Sequence, residues 1–323
     1  MSESRSSSPV PPNVRRVGLI AGWGRYPVVL ARALKKEGYE VVCLGARDHA
    51  DPALADICDV YVEKGMGKFG WATKFFRKHG VEYATLAGKI HKIKLFDPWF
   101  IWRQAPDFYT VRFFAAHFLR RRSDNKDDSL LSTVCRAFEN RGVTMLPGTV
   151  FAPELLVERK LLTKRAPSAS QWQDVFFGWK LARDMGRLDV GQSVSVKNRA
   201  VLAVEAIEGT DSAIRRAGEL CKSKKFVVVK VAKPQQDMRF DVPTVGMGTL
   251  KTMAESGAAV LAVEAKRTLF IDEEETVAYA DAHNISIVAL IEEDVDNPAT
   301  EAEFEAQSVG RLVPGVASST NAE

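Results

Sequence analysis

Cysteine is scarce in this sequence: the 323 residues hold four, Cys43, Cys58, Cys135 and Cys221, with no CxxC pair among them. That spacing signals neither a zinc site nor a disulfide framework, and reduced thiols of a cytosolic protein are the plain reading. Histidine is nearly as rare. His49, His79, His91, His117 and His283 never stand four apart, so no helical pair of histidine metal ligands is present. Long apolar runs are missing as well, none nearing the ~20 residues that cross a bilayer. The start, Met1-Ser2-Glu3-Ser4-Arg5, lacks the apolar stretch of a signal peptide. Net charge is only +4, too little to imply nucleic acid without a concentrated patch. Together these absences predict a soluble cytoplasmic protein with no nucleic-acid partner.

What is present is an ordinary globular composition, 46% hydrophobic and 27% charged, in a chain long enough for two cores. The Ser- and Pro-rich residues 1–14 and the Glu- and Ser-rich residues 294–323 read as disordered tails. Between them, residues 15–150 read as one domain, 151–170 as a polar linker and 171–293 as a second domain. In the first, residues 17–21, 39–44, 59–62 and 83–87 have the character of short buried strands. Helical patterns at 27–36, 51–58 and 68–78 separate them, the first opened by Pro27 and followed by Gly38. Strands alternating with helices predict a Rossmann-like α/β domain with a parallel, doubly wound sheet. The second domain opens with an amphipathic helix at 172–185 and a hairpin over 193–207 turning at Lys197-Asn198-Arg199. Alternating helices and β-branched strands then predict a second α/β unit.

The chemistry concentrates in residues 187–248, where acidic and polar residues gather at the ends of buried strands. Carboxylates with Lys233 and Arg239 are what a divalent metal and a phosphate ester need around them. Asp241 is the strongest single candidate, in an extended polar loop that follows a buried strand, the edge where α/β proteins place their sites. Glu205 sits on an alternating strand and reads equally as a solvated charge. Glu208 and Asp211 flank Gly209-Thr210 at the start of a helix, where Thr210 or Asp211 would also serve as a cap, a role compatible with binding phosphate. Gly22 and Gly24, at a strand-to-helix junction, read either as a phosphate cradle or as a plain tight turn, because Pro27 stands where the dinucleotide fingerprint has its third glycine. Arg47, at the end of the second strand, could meet a 2′-phosphate, which keeps an NADP-dependent oxidoreductase as an alternative. No Tyr-x-x-x-Lys or histidine–acid pair accompanies it.

Several motifs run in a fixed order along the chain: Gly18-Leu19-Ile20-Ala21-Gly22, Ala87-Gly88-Lys89, Lys126-Asp127-Asp128-Ser129-Leu130-Leu131, and Arg187-Leu188-Asp189-Val190-Gly191-Gln192. Ala203-Val204-Glu205-Ala206-Ile207-Glu208-Gly209-Thr210-Asp211 and Arg239-Phe240-Asp241-Val242-Pro243-Thr244-Val245-Gly246 complete the series. Over roughly residues 15 to 292 the chain resembles the LpxI family of UDP-2,3-diacylglucosamine pyrophosphatases. The resemblance implies magnesium-assisted hydrolysis of UDP-2,3-diacylglucosamine to UMP and 2,3-diacylglucosamine 1-phosphate on the way to lipid A. It also implies a homodimer and places the aspartate of the Arg-x-Asp-x-Pro-Thr motif, here Asp241, in catalysis. Two features depart from the family's pattern: Trp23 and Arg25 interrupt the glycines after the first strand, and Lys92-Ile93-Lys94 replaces an Arg-Pro after Gly88-Lys89.

Residues and resemblance together give the expected site. Asp241 and Lys233 are its catalytic groups. Gly22, Gly24, Gly88, Lys89, Asp128, Gln192, Thr210, Arg239 and Thr244 contact the substrate. Asp241, Glu208 and Asp211 hold Mg2+, or Mn2+ in its place. The aromatic stretch from Phe96 to Phe118, ending at Arg120-Arg121-Arg122, reads either as helices packed on the sheet or as a surface for acyl chains and the anionic face of the inner membrane. A nucleotide-sugar or lipid-binding protein without turnover is the non-enzymatic alternative.

Overall fold

In the computed structural model of the chain, residues 10–11, 13–89, 105–120, 127–239 and 241–312 are described. Contacts divide the chain into two units: Met1–Leu155 with Asp237–Asp241, and Leu156–Gln236 with Val242–Glu323.

The amino-terminal unit is built on five parallel strands in the order β3-β2-β1-β4-β5. These are β1 (Arg16–Ala21), β2 (Glu40–Ala46), β3 (Val60–Lys64), β4 (Tyr83–Ala87) and β5 (Thr144–Met145). Helices α1 (Tyr26–Lys36), α2 (Leu54–Ile57) and α3 (Phe69–Lys78) make the crossovers, and α4 (Phe108–Arg120), α5 (Asp127–Glu139) and α6 (Gly148–Phe151) complete the unit. Strands near the centre are apolar on both faces, as a sheet covered by helices on both sides requires. Val17, Leu19 and Ala21 of β1 pack with Val28, Leu30 and Leu34 of α1, while Val42 and Leu44 of β2 face Phe76 of α3 and Phe138 of α5. Asp107 fastens α4 to α3: its carboxylate accepts from the Trp71 and Thr110 amides at 2.9 Å each. Burial alone would push this carboxyl up, but the Thr110 and Trp71 hydrogen bonds outweigh burial and hold it below the ordinary range.

The carboxy-terminal unit carries a six-stranded sheet, β6-β13-β11-β9-β7-β8, and a two-stranded one, β10-β12. Its strands are β6 (Lys160–Leu161), β7 (Ser193–Lys197), β8 (Ala200–Val204), β9 (Phe226–Lys230), β10 (Thr244–Val245), β11 (Ala258–Glu264), β12 (Leu269–Phe270) and β13 (Ser286–Leu290). Its helices are α7 (Ala169–Arg187), α8 (Thr210–Leu220), α9 (Met247–Ser256), α10 (Glu273–Ala282) and α11 (Thr300–Leu312). Strands β9, β11 and β13 are parallel, and β6, β7 and β8 are antiparallel. The β7–β8 hairpin turns at Asn198 and Arg199, both with positive φ (52° and 58°), as a two-residue turn between twisted strands demands. The buried carboxylate of Asp174 on α7 accepts both of their amide N–H groups, at 2.9 and 2.6 Å.

Two expectations from composition fail here. Residues 151–170 are not a free linker: α6 ends within them, β6 joins the edge of the second sheet, and Arg159 pairs with the buried carboxylate of Asp294 at 2.6 Å. Two of the charges that make the segment look solvated, Arg159 and Lys160, are ion-pair donors, to Asp294 and Glu273. Nor is 294–323 a tail throughout. Helix α11 lies within it, and Phe304 is fully buried edge-on to Trp172, with centroids 5.5 Å apart. One aromatic anchor in a Glu-rich helix is too sparse a signal for composition to register. At the other end, Val10 is buried in the first core although residues 1–14 read as a tail; residues 1–9 and 12 lie outside the described residues.

Candidate active site

At the carboxyl edge of the first sheet, the two glycine turns are tied together. Gly22 donates its N–H to the Ala87 carbonyl at 2.8 Å, and Trp23 and Lys89 exchange N–H···O bonds at 2.8 Å each. This close approach explains the glycines. A Cβ on Gly22 would stand 2.7 Å from the Lys89 carbonyl, and one on Gly88, where φ is +92°, would meet the Trp23 carbonyl at 2.8 Å. The Gly22 and Trp23 amides are thus taken up by the fold itself. Gly24, with φ +110°, has open space around it, and Lys89 is exposed.

The loop Asp237–Asp241 belongs to the same unit, although the chain on either side belongs to the other. Arg239 grips Asp237 through Nη2 at 2.6 Å and reaches Glu139 of α5 at 3.3 Å. Burial would raise the Asp237 carboxyl, but the Arg239 side chain and amide bonds prevail and hold it below the ordinary range. Asp241 is half-buried, and its N–H donates to the Asp237 carbonyl at 3.1 Å, which sets the loop's turn.

In the carboxy-terminal unit the expected residues collect where β9 leaves the sheet. Lys233 Nζ donates to Asp189 Oδ1 at 2.9 Å, both side chains being largely enclosed. Gln236 donates to the Gln192 side chain at 3.3 Å, and the Gln192 carbonyl accepts the Val231 N–H at 3.0 Å. The Thr244 carbonyl accepts from Lys230 Nζ at 3.0 Å. Glu205, read as an ordinary strand charge, is instead buried, and accepts from Ser193 at 2.7 Å and Thr210 at 3.0 Å. That assigns Thr210 to fixing Glu205 at the mouth of α8.

The expected metal ligands are arranged differently. Glu208 is exposed and closes its own turn by accepting the Ala206 N–H at 3.1 Å; it also accepts from Arg216 at 2.6 Å. Its own amide and the Arg216 guanidinium hold its carboxyl below the usual range. Asp211 accepts from Thr249 at 3.3 Å. Among the described residues no group of three or more His, Cys, Asp or Glu side chains is placed to hold a metal ion. Within the carboxy-terminal unit, Glu208 and Asp211 thus already have protein partners for their carboxylates.

Comparison with known proteins places these features. Residues 16–155 match the LpxI N-terminal domain, and residues 158–288 match the LpxI C-terminal domain. The chain belongs to the LpxI family. It is 33% identical over 286 residues to the UDP-2,3-diacylglucosamine pyrophosphatase LpxI of Caulobacter vibrioides, an alignment that spans 86% of this chain and 98% of that protein. Membership in LpxI makes the chain a hydrolase and sets aside the oxidoreductase suggested by Arg47.

Parts of the LpxI reading lie outside the described residues: the Asp128 side chain, Phe240, residues 96–104, and the side chains of Arg120, Arg121 and Arg122. Of the aromatic stretch that is described, Tyr109 donates to the Ala137 carbonyl at 2.7 Å and the half-buried Phe114 packs against the core, while Phe108 (81% exposed) and Val111 (51%) face outward. No helix among the described residues is long and apolar enough to cross a membrane. Sequence reasoning missed Lys230 and Glu264, both buried. Their signal is a single charge ending an otherwise apolar strand, Phe-Val-Val-Val-Lys and Ala-Ala-Val-Leu-Ala-Val-Glu.

Proposed function

We propose that this protein hydrolyses the diphosphate of UDP-2,3-diacylglucosamine, a lipid A precursor, to UMP and 2,3-diacylglucosamine 1-phosphate. The observation that carries the reading is the alignment over 98% of the Caulobacter pyrophosphatase, on a chain that carries Lys233 and the Arg239–Thr244 motif. Water forms a bond to one phosphorus, the bridging P–O bond breaks, and the two monoesters leave with release of a proton. The Lys233 ammonium, steadied by Asp189, neutralises charge on the phosphoryl oxygens. Arg239, held by Asp237, lends its positive charge to phosphate, and Asp241 orients the attacking water. Mg2+, or Mn2+, bound by the phosphates and Asp241, would supply charge neutralisation on the diphosphate. Gly24 and Lys89 offer close backbone approach and a cation to the substrate, with Gln192 and Thr244 contacting its polar groups.

The exposed Phe108 and Val111 on α4 support a second element of this reading, a peripheral contact with the inner membrane from which the lipid substrate is drawn. In this reading the enzyme works as a homodimer, which sedimentation analysis checks. The decisive assay is release of UMP from UDP-2,3-diacylglucosamine, abolished by EDTA and restored by Mg2+. Absence of UMP with Mg2+ present rejects the function, and turnover undiminished in EDTA rejects the metal.

A further inference from the structure

After β9 ends at Lys230, the next residues leave the sheet, and side chains take over the work of the ladder. Four consecutive backbone groups are held this way. Glu264 Oε2 accepts the Ala232 N–H at 2.8 Å, Arg183 donates to the Ala232 carbonyl at 3.3 Å, Gln236 accepts the Lys233 N–H at 2.9 Å, and Arg267 donates to the Lys233 carbonyl at 3.3 Å. Glu264 ties the clamp together, because it also pairs with Arg183 at 3.2 Å and Arg267 at 3.4 Å. Its side chain is 6% exposed at the carboxyl end of β11, and Arg183 is anchored from the other side by Glu292.

We propose that Glu264 is a positioning residue for Lys233. The direction of the Lys233 side chain follows from the orientation of the peptides on either side of it, and Glu264 acts on both through its guanidinium partners, Arg183 on the Ala232 carbonyl and Arg267 on the Lys233 carbonyl. Without its charge, two guanidinium groups near one buried carbonyl turn would repel each other and the Lys233 ammonium. The proposal rests on the reading that Lys233 acts on the substrate's phosphates. It adds a residue for which the sequence motifs assign no part.

A double-mutant cycle tests it. Glu264→Gln keeps an acceptor for the Ala232 N–H and removes the charge that holds the arginines. The expected result is a kcat at least about tenfold lower with KM within about threefold, the pattern of an interaction lost in the transition state. In a Lys233→Met background the same change should lower kcat by less than about twofold, since there is no ammonium left to aim. An equal fold-loss in both backgrounds, or an unaltered kcat in Glu264→Gln, overturns the proposal. Arg267→Gln, which releases the Lys233 carbonyl from the other side, should show the same dependence on Lys233 and serves if Glu264→Gln fails to fold. Wild-type turnover by Lys233→Met itself would remove the premise that Lys233 acts, and no UMP from the wild type would reject the function; both are distinguishable from failure of the clamp alone.

Discussion

Replacing Phe304 by Ala should destabilise the carboxy-terminal unit by about 3–5 kcal/mol, the range for emptying a fully buried aromatic site. The ring has no exposed surface, meets Trp172 edge-on with centroids 5.5 Å apart, and carries the Arg159 guanidinium over its face at 5.0 Å. Transfer of such a side chain to water costs about 1.5–3 kcal/mol, the aromatic pair adds about 0.5–1.5, and the cavity supplies the rest. In a unit of this size each kcal/mol lowers the melting temperature by about 2–4 °C. Urea titration followed by far-UV circular dichroism measures the loss, with Phe177→Ala on α7, a partly exposed phenylalanine, as a control expected below about 1 kcal/mol. A loss below about 1 kcal/mol for Phe304→Ala would refute the docking of α11 and restore residues 294–323 to the status of a tail.

Asp241→Asn should lower turnover at least a hundredfold with little change in stability, whereas Glu208→Gln and Asp211→Asn should stay within about tenfold, because both carboxylates already serve Arg216 and Thr249. Equal losses at all three positions, read as UMP release, would point to a three-carboxylate metal site instead. The depressed Asp107 carboxyl gives a pH test. The unfolded chain binds more protons than the native one in this window, so its contribution is complete above the ordinary carboxylate range and is lost as pH falls through the depressed folded value. Asp107→Asn should flatten the acid limb of stability; an unchanged slope from pH 5 to 3 contradicts it. Phe108→Ser with Val111→Ser should reduce sedimentation with vesicles of anionic phospholipid, and unaltered binding would remove α4 from the membrane contact.

Much of the architecture was legible because strand and helix periods alternate: the first four strands and the hairpin lie within a few residues of where hydrophobic pattern and turn residues put them. The misreadings share a cause. Composition treats polar segments as solvated, yet Arg159 and Asp294 are polar because they pair with each other, and Phe304 anchors a helix otherwise made for water. Lys233 and Asp241 were legible as charges in a loop after a buried strand, and both follow β9 in the fold. Gly22 was not, since its amide could equally have faced a phosphate until its bond to the Ala87 carbonyl was seen. Glu264 and Lys230 escaped because a strand's last residue reads as either the end of the core or the start of the edge. Only the neighbouring strand tells them apart.

The central claim is tested most directly by incubating the purified protein with UDP-2,3-diacylglucosamine and Mg2+ in oxygen-18 water and analysing both products by mass spectrometry. The account predicts equimolar UMP and 2,3-diacylglucosamine 1-phosphate, with one solvent oxygen in one of the two. No UMP, or products in which neither phosphate carries solvent oxygen, would contradict it.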